Sequence, residues 1–475
     1  MTDKKIIRPA LHFTPKNNWM SDPNGCVYFN GVYHLFFQYH PYSTQWGPMH
    51  WGHAVSADLL NWKEKGIAIS PDEETGMVFS GSALIDRHNV TEFFPDQPGL
   101  VAFYTGHIPG DTEDEYLQHQ CMAHSPDGGS TWVPYEHNPV IQNPGLLDFR
   151  DPKVFYHGPS RAWVMVVVAG REAIFYRSKN LKEWTESGRF GEGYGLPEGV
   201  WECPDVFSLP HPSESGKEVW ILAVSALGRG KPTHSPVQYF VGDFDGSTFN
   251  CQDSPEAFRL VDYGHDFYAT QSWAGLEDRS IWIAWANHWA YANEVPAENW
   301  RGKMSIPREL SLVEKDGSLQ IRQAPVREFD SGGQNAPLPD AAAIAGVHDI
   351  CYRISNPTTD KSILEFRYSD GGVLTLEWNP GTEELVLDRT GVSWDHFHPE
   401  FETRPSVFLP VFGYQSLDLR VILDGSLIEV FALDGTVTFT SQIFPRASLA
   451  EIRFSEAMGV ISDAQHRVLV PNSNR

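Results

Sequence analysis

Ser56-Ala-Asp-Leu-Leu-Asn-Trp62, Ser125-Pro-Asp-Gly-Gly-Ser-Thr-Trp132 and Ser178-Lys-Asn-Leu-Lys-Glu-Trp184 share a serine, a turn-forming Asp or Asn, and a closing tryptophan. Each follows a run rich in β-branched and aromatic residues, and the copies recur at roughly 50–70 residues, the scale of one four-stranded propeller blade with its loops. About five such units fill residues 1–325. Three unrelated turns built from the same turn-favoured residues would look alike; recurrence on the scale of one blade favours the propeller. Other strand-like runs are Val32–Tyr39, Ala162–Ala169, Glu218–Ser225 and Ser280–Ala286, separated by Gly, Pro, Asn and Asp. Long amphipathic helical patterns are scarce, so the chain reads as all-β.

Composition shifts near residue 328. The stretch 329–346 is rich in Gly, Pro, Asp and Ala and reads as a linker with one short helical turn. It divides a propeller over 1–328 from a region over 347–475. There, Ile363–Tyr368, Gly372–Trp378, Glu384–Asp388, Leu417–Leu423 and Leu427–Phe431 alternate as strands. Asp424-Gly425 and Asp434-Gly435 punctuate them as hairpin turns, and a C-terminal β-sandwich is expected.

The chain has 475 residues, 61 acids against 36 bases, and a formal charge of −25. Such a surface repels nucleic acid and anionic membranes and suits a neutral substrate. The longest apolar run, Trp163–Ala169, is too short to span a bilayer. The N-terminus lacks an apolar segment of signal-peptide length. The five cysteines are scattered, and no pair has metal-ligand spacing. Reduced thiols in a cytoplasm are the simplest expectation; a secreted chain trimmed of its leader gives the same pattern.

Three acidic motifs carry the chemistry: Trp19-Met-Ser-Asp-Pro-Asn-Gly25, Phe149-Arg-Asp-Pro-Lys153 and Trp201-Glu-Cys-Pro-Asp205. They centre on Asp22, Asp151 and Glu202. Proline restricts the residue before it to extended backbone, so the acids are expected on stiff strand ends. Hydrolysis of a glycosidic bond needs two carboxylates in different protonation states. The Pro-Asn-Gly turn and Asn24 would hydrogen-bond Asp22 and favour its charged form. Arg150 and Asp151 would point to opposite faces of a strand unless a bulge turns both inward. Glu202, between Trp201 and Cys203, has poorly solvating neighbours, so its pKa is the one expected to rise most easily, which suits a general acid.

These motifs resemble glycoside hydrolase family 32, the invertase, levanase and inulinase family. Further matches run in order: Phe36–Pro41, Gln45-Trp-Gly47, Met49–Ala54, Phe79-Ser-Gly-Ser82, Asp266–Gln271, Trp300–Leu310 and Leu419–Phe431. The resemblance covers nearly the whole chain. It implies a five-bladed propeller followed by a β-sandwich, exo-cleavage of a terminal β-linked fructosyl unit with retention, and neither cofactor nor metal. Asp22 carries over as nucleophile, Glu202 as acid/base and Asp151 as stabiliser. Trp19, Asn24, Gln38, Trp46, Phe79, Ser80, Arg150, Tyr268 and Trp289 are expected at the sugar subsite, with Trp285 close to Trp289. His40, His50 and His53 read as structural. Two positions depart from the pattern: Ser21 stands where Asn is usual, and Gly425 where Arg is usual. The expected substrates are sucrose, fructo-oligosaccharides, inulin or levan. A fructosyltransferase using the same covalent intermediate and a non-catalytic fructan-binding protein are the alternatives. The sandwich edges suit pairing in a homodimer.

Overall fold

The computed structural model describes residues 6–95, 97–112, 115–228, 236–315, 317–335, 346–355, 361–394, 396–409, 416–454 and 460–470. Five antiparallel sheets come first in the chain. Their first strands are Asn18–Phe29, Met77–Asp86, Arg150–His157, Val200–Pro210 and Tyr268–Ser272. Each of these strands lies against the next, and the fifth lies against the first. That closes a ring about one axis, and the sheets radiate from it as the five blades of a propeller. The first blade is completed by Trp300-Arg301, which pairs in parallel with Asn18-Trp19.

Both faces of each blade are buried, which explains apolar runs that do not alternate. In Ala162–Ala169, Val164, Val166 and Val168 pack towards blade four, while Met165 and Val167 pack towards blade two. Similar cores fill the other gaps, and the core between blades five and one also takes in Val347, Ile422, Phe431 and Leu469.

The repeated Ser…Trp motif has one structural place, the turn from third to fourth strand in blades one, two and three. Asp58, Asp127 and Asn180 each cap backbone amides within the turn. Trp62 and Trp184 donate their indole N–H to the carbonyls of Leu59 and Leu181. Those two leucines share left-handed φ values of 63° and 65°.

After the propeller, a six-stranded and a five-stranded antiparallel sheet enclose a separate core that includes Ile350, Phe366, Trp378 and Phe439. The span 329–346 is partly structured. A single helical turn occupies Arg327–Asp330, and Gln334-Asn335 pairs with Val468 and Arg467 as a sandwich edge. The alanine-rich part of the span falls in 336–345, outside the described residues. The propeller and sandwich are joined by buried charge. Arg308 donates to Glu429 at 2.8 Å and Asp262 at 3.0 Å, and Arg389 bonds Asp266. Gly425, with φ 59°, lies where a Cβ would come within 3.0 Å of the Ile7 and Arg8 carbonyls. Close packing by the N-terminal segment explains glycine at this departure from the family pattern.

Candidate active site

The inner strands start at one mouth of the axis, and each is broken there by a β-bulge. The register slips between Met20 and Pro23, Val78 and Gly81, Arg150 and Lys153, Glu202 and Asp205, and Tyr268 and Gln271. A bulge re-aims side chains that a regular strand would alternate. Asp151, Cys203 and Ala269 occupy left-handed backbone, with φ of 65°, 48° and 55°. Two of these precede proline, so the extended backbone expected there gives way to bulge geometry. Their freed N–H groups are satisfied by side chains. Asp151 donates to Thr105 Oγ1, Cys203 to Asp151 Oδ2 and Ala269 to Ser225 Oγ. Pro152 and Pro204 follow two of them and bring no N–H to orphan.

The bulges bring the three acids to one cluster. Arg150 joins two of them, with NH1 2.7 Å from Asp148 Oδ1, NH2 2.9 Å from Glu202 Oε1, and Nε 3.8 Å from Asp151 Oδ2. The strand alternation that would separate Arg150 from Asp151 is thus overridden. Asp22 accepts a 2.8 Å hydrogen bond from Ser80 Oγ. Cys203 Sγ lies 3.7 Å from both Asp22 Oδ2 and Asp151 Oδ2. The hydroxyl of Tyr268 donates to Glu202 Oε2 at 2.5 Å.

Electrostatics corrects two expectations. Burial, then the negative charges of Glu202 and Asp151, push Asp22 up to about 7, and only its hydrogen bonds oppose this. Asn24 does not help: its amide donates to the Pro23 carbonyl and its oxygen accepts from Gln38. The neighbours that meet the Glu202 carboxylate are Arg150 and Tyr268, not Trp201 and Cys203. Asp151 is raised by burial, with Arg150 pulling it down and Glu202 pushing it up.

The subsite residues divide into two groups. Trp46, Phe79 and Trp289 present partly exposed rings, with Trp46 edge-on to Phe79 and Phe79 stacked on His107. Trp19, Asn24 and Tyr268 are 0% exposed and Gln38 is 4% exposed. They form the buried wall of the site, behind the partly exposed rings. Trp285 is equally buried and packs against Trp19, Tyr268 and Trp289. Asp22 Oδ1 and the Trp19, Trp285 and Trp289 indole nitrogens are buried without a hydrogen-bond partner among the described residues. Buried polar atoms ordinarily find one, so this cluster suits a polyhydroxylated ligand. His40, His50 and His53 bond the Gln45 and Pro48 carbonyls and His34.

Asp148 and Cys203 are contacts the motifs did not reveal. Asp148, two residues before Arg150, takes hydrogen bonds from Arg150 and from Tyr116. Cys203 touches the other two acids, although its sequence neighbour is Glu202.

Paired carboxylates of unlike environment, set among aromatic rings at the mouth of a propeller, define a glycoside hydrolase. Comparison with known proteins gives the family. The model for the glycosyl hydrolases family 32 N-terminal domain matches residues 12–325, and that for the family 32 C terminal matches 320–468. The chain belongs to glycosyl hydrolase family 32. It is 41% identical to a levanase of Bacillus subtilis (strain 168) over 95% of this chain and 68% of that protein. It is 34% identical to an extracellular exo-inulinase of Aspergillus awamori, over 96% and 93%. The crystal structure of an A. awamori exo-inulinase superposes with a TM-score of 0.88 at 30% identity, covering 99% of this chain and all of that one. A β-fructofuranosidase from Schwanniomyces occidentalis, complexed with fructosyl-erythritol, gives 0.86 at 30% identity, over 99% of each chain.

Proposed function

We propose that the protein is a retaining exo-β-fructosidase that releases terminal fructose from sucrose, fructo-oligosaccharides and fructans of the levan or inulin type. The observation that carries this reading is the meeting of Asp22, Asp151 and Glu202 in one buried cluster, with Arg150 bound to Glu202 and beside Asp151. The levanase and exo-inulinase relatives, and the fructosyl ligands bound by the S. occidentalis enzyme, support the substrate class.

In this reading Asp22 attacks the anomeric carbon while Glu202 gives its proton to the departing oxygen. Glu202 then takes a proton from water, and the hydroxide equivalent releases fructose with retained configuration. Asp151, fixed by the Cys203 amide, holds fructosyl hydroxyls. Two like charges so near one another cannot both ionise cheaply, so the acids titrate as a set. In the free protein, burial and the charges of Glu202 and Asp151 push Asp22 up to about 7. Productive turnover needs Asp22 charged and the proton on Glu202. Pairing of two copies through sandwich edges belongs to the same reading, and light scattering in solution tests it.

The experiment is a panel of sucrose, 1-kestose, inulin and levan with fructose quantified, run on the parent and on Asp22→Ala and Glu202→Ala. Each variant is expected to lose several orders of magnitude in fructose release; near-parental turnover in either sinks the assignment. Transfer in place of hydrolysis would appear as longer oligosaccharides at high sucrose. Binding without product over long incubation would mark a non-catalytic protein.

A further inference from the structure

A cavity of about 650 Å³ opens at the opposite mouth of the propeller axis, where the inner strands end. It is lined by residues such as Val154–Tyr156 and Val206–Ser208, whereas the acids lie at the starts of the same strands. Its size falls within the range of small-molecule sites, about 300–1,000 Å³. The charge of its wall is opposite to that of the molecule. In a chain of net charge −25, the lining holds Arg87, Lys153, Arg161, Lys179 and Arg279 and no aspartate or glutamate.

Three of these cations already have carboxylate partners, Arg87 with Glu277 at 3.8 Å among them. Lys153 is 2.8 Å from Asp205, and Arg279 pairs with Glu328. Arg161 and Lys179 are different. Both are exposed, and Lys179 Nζ donates to the Arg161 carbonyl at 2.5 Å. Neither side chain has a carboxylate partner among the described residues. Beside them, Trp163 stands in register between Tyr156 and Ser178 on adjacent strands. The Tyr156 and Trp163 rings are 5.2 Å apart, and Tyr156 is 53% exposed. An edge-to-face aromatic pair, with the Tyr156 ring exposed, next to an arginine and a lysine matches an oxyanion carried on a ring-sized body.

We infer that this cavity is a second ligand site, remote from the acids, that takes a hexose phosphate or a hexose carboxylate. Arg161 and Lys179 hold the oxyanion, and the sugar ring lies on Tyr156 and Trp163. The site concentrates anions locally on a protein whose overall field repels them.

Calorimetric titration of the full chain at low salt tests this with four probes: fructose 6-phosphate, glucuronate, inorganic phosphate and fructose. Saturable binding of fructose 6-phosphate or glucuronate is expected, and it should persist in excess fructose. The first prevailing marks a phosphate site, the second a carboxylate site. The Arg161→Glu/Lys179→Glu double variant should weaken that binding about tenfold or more, with kcat/KM on sucrose unchanged. Tyr156→Ala should weaken the hexose anion and leave inorganic phosphate as it was. The inference fails if neither hexose anion saturates, if excess fructose displaces it, if charge reversal leaves it intact, or if inorganic phosphate binds equally well.

Discussion

Asp22 is held in contradictory surroundings. It is buried beside two other acids, which favours its neutral form, and it is hydrogen-bonded by Ser80, which favours the charged form the reaction requires. The acid limb of kcat/KM reports the free enzyme's essential base, so it should lie well above the ordinary carboxylate range, towards 7. Ser80→Ala removes a bond to the ionised state and should move that limb upward. A hydrogen bond to a charged group contributes about 1.5–3 kcal/mol, or roughly one to two pH units. A pH–rate profile showing no upward move would mean that Ser80 does not hold the charged form. The motifs named the acids, but no local rule could show which of them burial and like charge would raise. That depends on strands separated by 180 residues between Asp22 and Glu202.

At the scale of the element, the inner strand is what makes the site. Its bulges were not legible, because they answer to the ring of neighbours rather than to propensity. The acid-proline pairs marked their positions but suggested extended backbone. The turns were more legible: the serine, Asx residue and tryptophan recur because each satisfies a turn amide or carbonyl. The fourth blade escaped notice because its turn, Asp245-Gly-Ser-Thr-Phe249, keeps the capping aspartate but lacks both serine and tryptophan at the matching ends. Further along the axis, Asp205 ties three inner strands, accepting from Lys153 at 2.8 Å and from the Ser272 amide and hydroxyl. Asp205→Ala leaves a buried ammonium unpaired and should cost about 3–5 kcal/mol of stability. The double replacement Lys153→Met/Asp205→Leu should recover much of that loss. Urea midpoints check both; a neutral single variant would remove Asp205 from this role. Because Asp205 touches none of the three acids, turnover of folded Asp205→Ala should exceed that of Asp22→Ala.

For the whole molecule, several family motifs outside the site turn out to build the joint between propeller and sandwich. Arg308 from Trp300–Leu310, Asp266 from Asp266–Gln271 and Glu429 from Leu419–Phe431 meet there, which the linear order could not reveal. His12 lies between Asp424 at 2.8 Å and Glu429 at 3.2 Å. Despite the opposing effect of burial, these two carboxylates raise it to about 9 from an ordinary 6.5. Its folded pKa exceeds the unfolded one, so its stabilising contribution is complete below about 6.5 and fades as pH rises through about 9. The stability gap between parent and His12→Gln should therefore be widest at pH 6 and narrow by pH 10. A gap independent of pH would show that the histidine acts by packing alone.

The central claim is that Asp22 attacks the sugar and Glu202 handles the proton. Glu202→Ala treated with a fructoside bearing an activated leaving group should form the covalent intermediate and then stall, because no base remains to recruit water. Peptide mass spectrometry should place the added fructosyl mass on the segment containing Trp19–Gly25, at Asp22. Fructosyl mass on the segment containing Asp151, or turnover with inverted configuration and no adduct, would contradict the account.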